Sequence, residues 1–491
     1  MTSYMMNYIP ELILIIGVAL MVLFSLFIDN KDEKKERILS IAIAVMAISA
    51  SLFVLISNSN KNVKIFTDFL VIDPLSTMFK ILFLIIALVS VWFFARSKET
   101  NKFGLDFYVQ ILVVLVGMMM MASANSLLAL YLGLEMVSIP SYLMTGWKRK
   151  DNGPEAAIKY AIYGGAASGV MIFGMSLIYG LVGTLNLTTI SAYHGFNSSN
   201  KALWIISILF MLAGFGYKVA AAPFHHWSPD VYEGATTPVT AFFSVGPKAA
   251  GFAMMIRFFY KYTITSNGDS VTHALSQVPW TLLVAIIAVI TMFIGNLSAL
   301  RQTSMKRMLA YSSIAHAGYM ISVITVSSKA AIVSILFYLV IYLFMNIGAF
   351  IIVSIVMENN NESDDIKYFN GLGSKNSLLA IIMAFFMFSL MGVPPFAGFI
   401  GKVYLFTALL ENLTPITVWL SVFAVINSAI SVYYYARVIK AMYLTEPTDN
   451  SVIDTAFDFK SILAVFAIII FVLGIYWTPL FNILSKAVVM Q

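Results

Sequence analysis

The sequence predicts an all-α polytopic membrane protein of about fourteen transmembrane helices, two of them broken. Three observations predict it. Only 11% of the 491 residues are charged while 60% are hydrophobic, and the mean hydropathy is +0.87; a soluble globular chain carries about 25% charged residues. Apolar runs recur from end to end at the length, about 20 residues, that crosses roughly 30 Å of hydrocarbon. The polar segments between them are short, so residues 1–491 are expected to form a single membrane domain.

Composition also excludes whole classes of function. The formal charge of +6 does not imply nucleic-acid binding, because the basic residues cluster in short loops between apolar spans. The chain has no cysteine, which excludes disulfides, thiolate zinc sites, cysteine-ligated iron–sulfur clusters and covalent c-type haem. No glycine-rich loop follows a predicted strand, so nucleotide binding has no support.

The first run, 8–28, has no basic residue before it and no small-residue cleavage site after it, so it is expected to persist as a helix and not as a signal peptide. Runs at 38–57, 75–95 and 107–122 follow, the last ending in the flexible apolar filler of Met118–Met121. The fifth, 125–147, contains Glu135. The sixth, 156–183, holds Gly165-Ala-Ala-Ser-Gly169, a small-residue spacing that lets membrane helices approach closely. The seventh, 203–225, is one of the broken pair, and the eighth, 237–260, contains Lys248. Then come 278–299, 308–326 and 330–357, the second broken run at 378–410, and 415–440 and 461–485. Glu11 falls near the rim of the first span, and Glu358–Asp365 reads as an acidic solvated loop.

Orientation follows from the loop lysines and arginines. With the N-terminus outside, the cytoplasmic loops hold Lys31, Lys34, Lys35, Arg37, Arg96, Lys98, Lys102, Lys148–Lys150, Arg301, Lys306, Arg307, Lys367, Lys375, Arg437, Lys440 and Lys460. The opposite loops hold only Lys61, Lys64, Lys201, Lys261, Lys329 and Lys486, with Arg257 near the outer end of its span. Both termini are therefore expected outside.

The broken runs read Gly-Tyr-Lys-Val-Ala-Ala-Ala-Pro-Phe-His from Gly216 and Gly-Val-Pro-Pro-Phe-Ala-Gly-Phe-Ile-Gly-Lys from Gly392. Proline in a helix interior removes a donor and clashes with the preceding turn. Unwound backbone is tolerated at membrane depth only beside protein or a watery cavity. The breaks lie five spans apart, and the lysine precedes the proline in one and follows it in the other. Such a mirrored order fits an inverted-topology repeat, and matched breaks point to a transport site.

Four charges lie inside apolar spans: Glu135, Lys218, Lys248 and Lys402. The alternative for a membrane lysine is snorkelling to the interface. Lys248 lies about eleven residues, or roughly 16 Å, from either end of its span, and a lysine reaches only ~6 Å. An ionisable group held at depth is a functional candidate by default. A desolvated neutral lysine can take a proton, and a nearby carboxylate favours the charged form. Glu135 and Lys218 would make such a tunable pair; Lys248 and Lys402, with no evident acidic neighbour, would pass protons on. Spaced along the membrane plane and joined by water, these groups would form a proton wire. Lys159 is only a few residues inside the sixth span and within snorkelling reach, and Lys80 reads as an anchor. His316, in the tenth span, is either a hydrogen-bonded structural residue or a relay between Lys248 and Lys402. His225 and His226 abut Trp227 at a span end and suggest a structural or gating part, and His194 and His273 fall in outer loops. No bis-histidine pattern supports haem, and nothing in the pattern supports a metal site.

The stretch Gly216-Tyr-Lys-Val-Ala-Ala-Ala-Pro-Phe-His-His-Trp-Ser-Pro-Asp-Val-Tyr-Glu-Gly234, followed by Thr237-Pro-Val-Thr-Ala-Phe-Phe-Ser-Val-Gly-Pro-Lys248-Ala-Ala-Gly251, resembles the antiporter-like membrane subunits of respiratory complex I, the proton-pumping NADH–quinone oxidoreductase. Leu134-Glu135 and the run Gly392–Lys402 resemble the same family, in family order and over nearly the whole chain. The resemblance implies fourteen helices with two inverted five-helix repeats, approximately 105–260 and 278–440. It implies proton-translocating roles for Glu135, Lys218, Lys248 and Lys402, and adds Lys159 in Glu155-Ala-Ala-Ile-Lys-Tyr. The M-type branch has a glutamate where Lys402 stands, and the L-type branch carries a lateral helix beyond the bundle. The segment Ala156-Ala-Ile-Lys-Tyr-Ala-Ile-Tyr-Gly-Gly-Ala-Ala-Ser-Gly-Val resembles the N-type branch. Many relatives have a second proline where Thr236 stands here.

The implied partners are other complex I membrane subunits of M, L, K, J, A and H type, the peripheral-arm subunits and the lipid membrane, with no nucleic acid. The implied cofactors, NADH, FMN, iron–sulfur clusters and quinone, belong to the whole complex and not to this chain. The implied location is the inner (plasma) membrane of a bacterium, or an organelle inner membrane. Two other readings share the same lysines: a subunit of a multi-subunit cation/proton antiporter, and a subunit of a membrane-bound hydrogenase or a plastid-type complex. A membrane scaffold without transport would leave the four buried charges unexplained.

Overall fold

The computed structural model describes residues 7–26, 33–57, 61–147, 152–193, 195–263, 278–326, 328–360, 362–447 and 453–488. Lys31, Lys148, Arg149, Lys150, His194 and His273 lie outside the described residues. The chain is helical almost throughout. Its principal helices are α1 (Ile9–Ser25), α2 (Glu33–Ser57), α3 (Pro74–Arg96), α4 (Leu105–Ser123), α5 (Leu127–Thr145), α6 (Gly153–Val182) and α7 (Lys201–Val219). After them come α8 (Trp227–Gly234), α9 (Thr237–Thr263), α10 (Trp280–Ala299), α11 (Met305–Ile324) and α12 (Lys329–Glu358). The chain ends with α13 (Ser377–Met391), α14 (Ala397–Leu409), α15 (Pro415–Leu444), α16 (Phe457–Ile475) and α17 (Thr478–Ala487).

Among the described residues, 11 helices are long and apolar enough to cross a membrane, and α1, α13 and α14 are shorter apolar helices. Helix starts follow local chemistry. Proline occupies the first turn of α3 and α15, where its missing N–H costs nothing, and each carries a capping box, Asp73 with Ser76 and Thr414 with Thr417.

By internal contacts the chain divides into two compact units. The first comprises Met1–Val219, Gly246–Leu283 and Ala487–Gln491; the second comprises Ala220–Val245 and Val284–Lys486. In the first, α4 packs along α5 and α6 along α7, and α1 to α4 pack on one another. In the second, α12 lies against α13, α14 and α16, and α8 lies on α11. Of the apolar stretch of α12, 89% is buried, against 28% for α15 and 33% for α6. On α6 the outward side chains include Ile158, Ile162 and Phe173, and on α15 Trp419 and Val425. Large apolar residues exposed in such number on long helices form a lipid-facing surface.

Both expected breaks are present. α7 stops at Val219, Ala220 takes a left-handed conformation (φ 58°), and the Ala222–Pro223 bond is cis. α13 stops at Met391, Gly392 is left-handed (φ 84°), and the Pro394–Pro395 bond is cis. The twelfth expected span is thus two helices, α13 and α14.

Three features depart from expectation. The last span, 461–485, is also two helices, because α16 ends at Ile475 and α17 restarts at Thr478 with Pro479 in its first turn. A two-stranded antiparallel sheet, β1 (Val63–Ile65) and β2 (Leu70–Ile72), pairs Val63 with Ile72 and Ile65 with Leu70. Lys80, expected to reach the interface, is 1% exposed and pairs at 2.6 Å with Glu11, itself expected at a rim. A buried cation is costly unless it is paired or hydrogen-bonded, and here the carboxylate pairs it.

Candidate functional site

Within the first unit, Lys218 is the last residue but one of α7 and is 2% exposed. Its Nζ donates to Ser138 Oγ at 3.0 Å, and that hydroxyl donates to the Leu134 carbonyl at 2.7 Å. Ser138 is one helical turn past Glu135 on α5, so the two share a face. Glu135 acts on Lys218 electrostatically, yet its Oε1 is buried without a hydrogen-bond donor. The expected pair therefore meets with a serine as the contact and the carboxylate as a charged neighbour. Tyr217 lines the same region, donating to the Tyr160 carbonyl at 3.2 Å and to the Tyr142 hydroxyl at 3.5 Å.

Lys248 follows Pro247 inside α9 and is likewise 2% exposed. One turn on, Gly251 shows how Lys218 comes to this helix. A Cβ at Gly251 would lie 2.7 Å from Val219 Cγ1 and 3.3 Å from Lys218 Cγ. The stem of Lys218 thus crosses α9 at a glycine, one turn from Lys248. Lys159 is placed differently: its side chain is 42% exposed on α6 and pairs with Glu155 at 2.8 Å. It does not share the burial of the other lysines.

In the second unit, Lys402 on α14 is 3% exposed. Its Nζ donates to the Met391 carbonyl at 2.8 Å and to Ser428 Oγ at 3.0 Å, and lies 5.4 Å from the centre of the Tyr319 ring. Met391 ends α13, so the ammonium meets a carbonyl orphaned by the break, at the end of a helix where cations are favoured. Gly392 makes this approach possible, since a Cβ there would lie 2.8 Å from Lys402 Cδ.

His316 is buried in α11 with both ring nitrogens engaged: Nδ1 with the Tyr338 hydroxyl at 2.6 Å and Nε2 with the Tyr435 hydroxyl at 3.0 Å. Tyr435 is hydrogen-bonded in turn to Ser312. Tyr338 packs on Gly401, where a Cβ would meet its ring at 2.6 Å, immediately before Lys402. A hydroxyl–imidazole–hydroxyl chain therefore ends beside the Lys402 helix. An imidazole held on both sides fits the structural reading, and because donor and acceptor can exchange along the chain the geometry is also compatible with a relay. His225 is buried with Nδ1 unpartnered, its ring 4.3 Å from that of His226.

Sequence reasoning missed Ser138, Ser312, Tyr338 and Tyr435. The available signals were weak: Ser138 one turn from Glu135, and Tyr338 with Tyr342 at helical spacing. Among the described residues, no group of three or more His, Asp or Glu is placed to hold a metal ion.

A family model described as NADH:quinone oxidoreductase/Mrp antiporter, TM, matches residues 124–431. The chain is 40% identical over 491 residues to an NADH-quinone oxidoreductase subunit N of Anaeromyxobacter sp., covering 96% of this chain and 94% of the relative. Among solved structures, a chain of respiratory complex I from Thermus thermophilus superposes with a TM-score of 0.79 at 28% identity, covering 96% of this chain and 98% of that one. A chain of the membrane-bound sulfane sulfur reductase, an archaeal respiratory membrane complex, superposes with a TM-score of 0.83 at 22% identity over 98% and 96%, and so shares the fold. With the motif order, the buried lysines and this full-length identity in agreement, the chain belongs to the subunit N family of NADH-quinone oxidoreductases, within the wider family of antiporter-like membrane subunits.

Proposed function

We propose that Glu135, Lys218, Lys248 and Lys402 carry the protons that this membrane subunit translocates while an NADH:quinone oxidoreductase passes electrons from NADH to quinone. His316 with its two tyrosines would relay towards Lys402, and Lys159 would act from the exposed face of α6. The observation that carries the reading is the burial of three lysines, each 2–3% exposed, inside apolar helices at a break or a proline. A titratable group at that depth has no inexpensive substitute in hydrocarbon. Two inverted repeats, 105–260 and 278–440, would supply one lysine-bearing break each, in about fourteen spans of a single membrane domain. The electrons would travel through FMN and iron–sulfur clusters in peripheral-arm subunits, with M-, L-, K-, J-, A- and H-type membrane subunits as neighbours, in a bacterial plasma membrane.

A cation/proton antiporter or hydrogenase subunit would use the same lysines, and the family description itself embraces antiporters. The 40% identity to a named subunit N favours the first reading. Co-purification separates them: flavin and iron–sulfur subunits in the isolated complex support it, and cation-antiporter subunits overturn it.

The residues are tested by substitution. In assembled complex, Lys248→Ala and Lys402→Ala should each lower proton pumping and coupled quinone reduction about tenfold or more. Lys248→Arg should not restore activity, because a guanidinium hardly deprotonates. Undiminished pumping by assembled Lys248→Ala complex would remove Lys248 from the pathway.

A further inference from the structure

We propose that Lys306 and Arg307 are positioning residues for proton translocation, clamping α8 in the register that the Lys248 helix requires. The inference rests on the function proposed above. α8 follows the first break and lies in the chain between Lys218 and Lys248. A helix end leaves its last carbonyls without intrahelical donors, and a left-handed glycine commonly caps them. α8 has no such cap: Ala235 is extended, at φ −71° and ψ 158°. Its end is held instead by a distant side chain. Lys306 Nζ, 3% exposed, donates to the Glu233 carbonyl at 2.9 Å and to the Ala235 carbonyl at 2.6 Å. Arg307 Nη1 grips the same helix from its flank, donating to Asp230 Oδ1 at 2.9 Å and Glu233 Oε2 at 2.7 Å.

The clamp stands on a fixed base. Ser304 caps α11 by accepting from the Arg307 amide at 3.1 Å, and the Lys306 amide donates to Asp364 Oδ2 at 3.2 Å. α8 passes its position onward, because Thr240 Oγ1 in the first turn of α9 donates to the Tyr232 carbonyl at 2.9 Å. Lys248 stands about two turns farther along that helix. Ten residues beyond Lys306 on α11 stands His316. The helix that begins at the clamp therefore carries the imidazole, and the helix that the clamp orders carries the lysine. Neither basic residue needs to exchange a proton for this. Each acts as a fixed donor, which sets them apart from Lys218, Lys248 and Lys402.

That difference supplies the test, made on the complete complex in membranes with assembly quantified for each variant. Lys306→Met should lower NADH-driven pumping per assembled complex about five- to tenfold through loss of a charge-assisted contact, with the shape of the pH–rate profile unchanged. Lys306→Arg should keep at least about half of the wild-type rate, since arginine donates as lysine does but scarcely titrates. If Arg is as damaging as Met, Lys306 works by titration and the positioning role is overturned; wild-type pumping by Lys306→Met overturns it too. Should Lys306→Met not assemble, Arg307→Gln serves as the same arm, and failure of both to assemble makes the cluster a folding element and ends the proposal. Lys248→Ala run alongside keeps the two ideas apart. Impaired Lys248→Ala with unimpaired Lys306→Met sinks only the clamp, whereas unimpaired Lys248→Ala sinks the pathway beneath it.

Discussion

Lys218 and Lys402 meet the cost of burial in different ways, and among the described residues neither does it with a direct ion pair. Lys402 donates to a carbonyl freed by a helix break and to Ser428, while Lys218 donates to Ser138 with Glu135 nearby. Neutral oxygens hold an ammonium without fixing its charge, which suits the proton-carrying role proposed for both lysines. On the proposed pathway Glu135 would tune Lys218. Glu135→Gln should impair turnover about tenfold, corresponding to a coupling of about 1–2 kcal/mol, and Glu135→Asp should retain substantial activity. Glu135→Gln combined with Lys218→Ala should cost much less than the sum of the singles, because interacting residues are non-additive. Pumping and NADH-driven quinone reduction measure this, and strictly additive losses would abandon the switch. At this scale the charges were legible because an ionisable residue in an apolar run stands out. Their contacts were not, since Ser138 or Tyr435 looks like any polar residue of a membrane helix until tertiary packing sets it against a lysine or an imidazole. The Glu11–Lys80 pair escaped for the same reason: each residue alone lies near a span end, and only packing buries them together.

Among the elements, prolines announced both breaks, but not the left-handed residues that open them. Gly392 is explicable from its partner, since any Cβ would collide with Lys402; Ala220 adopts the same conformation at greater steric cost. The β1–β2 hairpin and the restart at Thr478 were hidden because strands of three residues and a two-residue interruption leave no periodicity to read. The start of α3 is another element that depends on a distant residue. Asp73 caps it, and Arg257 forks onto both carboxylate oxygens at 2.6 and 2.5 Å while its Nε donates to the Ala122 carbonyl at 2.8 Å. Burial pushes the Asp73 carboxyl up, but the Arg257 charge, its hydrogen bonds and those of Ser76 outweigh this and hold it below its ordinary value. A carboxyl lowered on folding contributes stability that is present above the ordinary carboxylate range and is lost as pH falls through the lower folded value. Asp73→Asn should therefore cost about 1–3 kcal/mol at neutral pH, by leaving Arg257 poorly paired, and should flatten the loss of stability in acid. Thermal melts of the purified complex from neutrality into that acid range would show it. An acid dependence unchanged in Asp73→Asn would assign it to other carboxylates.

Over the whole molecule, the helical, lipid-facing character was legible from composition and run length alone, whereas the division into two compact units was not, because contacts between distant helices leave no trace in hydropathy. The loop charges predict a sidedness, and within each unit the basic residues can be placed along the helices. In the first unit, Arg37 of α2 donates to the Ala95 carbonyl at 2.7 Å, which sets it beside Arg96, Lys98 and Lys102 at one end of the helices. At the opposite end of α3, Leu70 bridges to Ala124, and Ser126 bridges to Asn186, gathering loops poor in basic residues. In the second unit, Arg437 donates to the Leu300 and Gln302 carbonyls beside Lys306 and Arg307, while the far ends of α12 and α14 meet where Ser328 donates to Glu411 at 2.5 Å. Within each unit the basic loops thus gather at one end, as a cytoplasmic face requires. With the even number of crossings that the sequence predicts, about fourteen, both termini are expected on the outer side. Reporter fusions placed after Gln491 and within Lys148–Asp151, both outside the described residues, should report opposite compartments. An alkaline phosphatase fusion should be active at the first site and silent at the second, and a cytoplasmic fluorescent reporter should show the reverse. The same compartment at both sites would make the number of crossings between them even, where the alternation of loops requires an odd number. Helix α11, which carries the buried Lys306 and His316 and is not among the 11 helices long and apolar enough to cross a membrane, would then be the first to lose its expected place as a span.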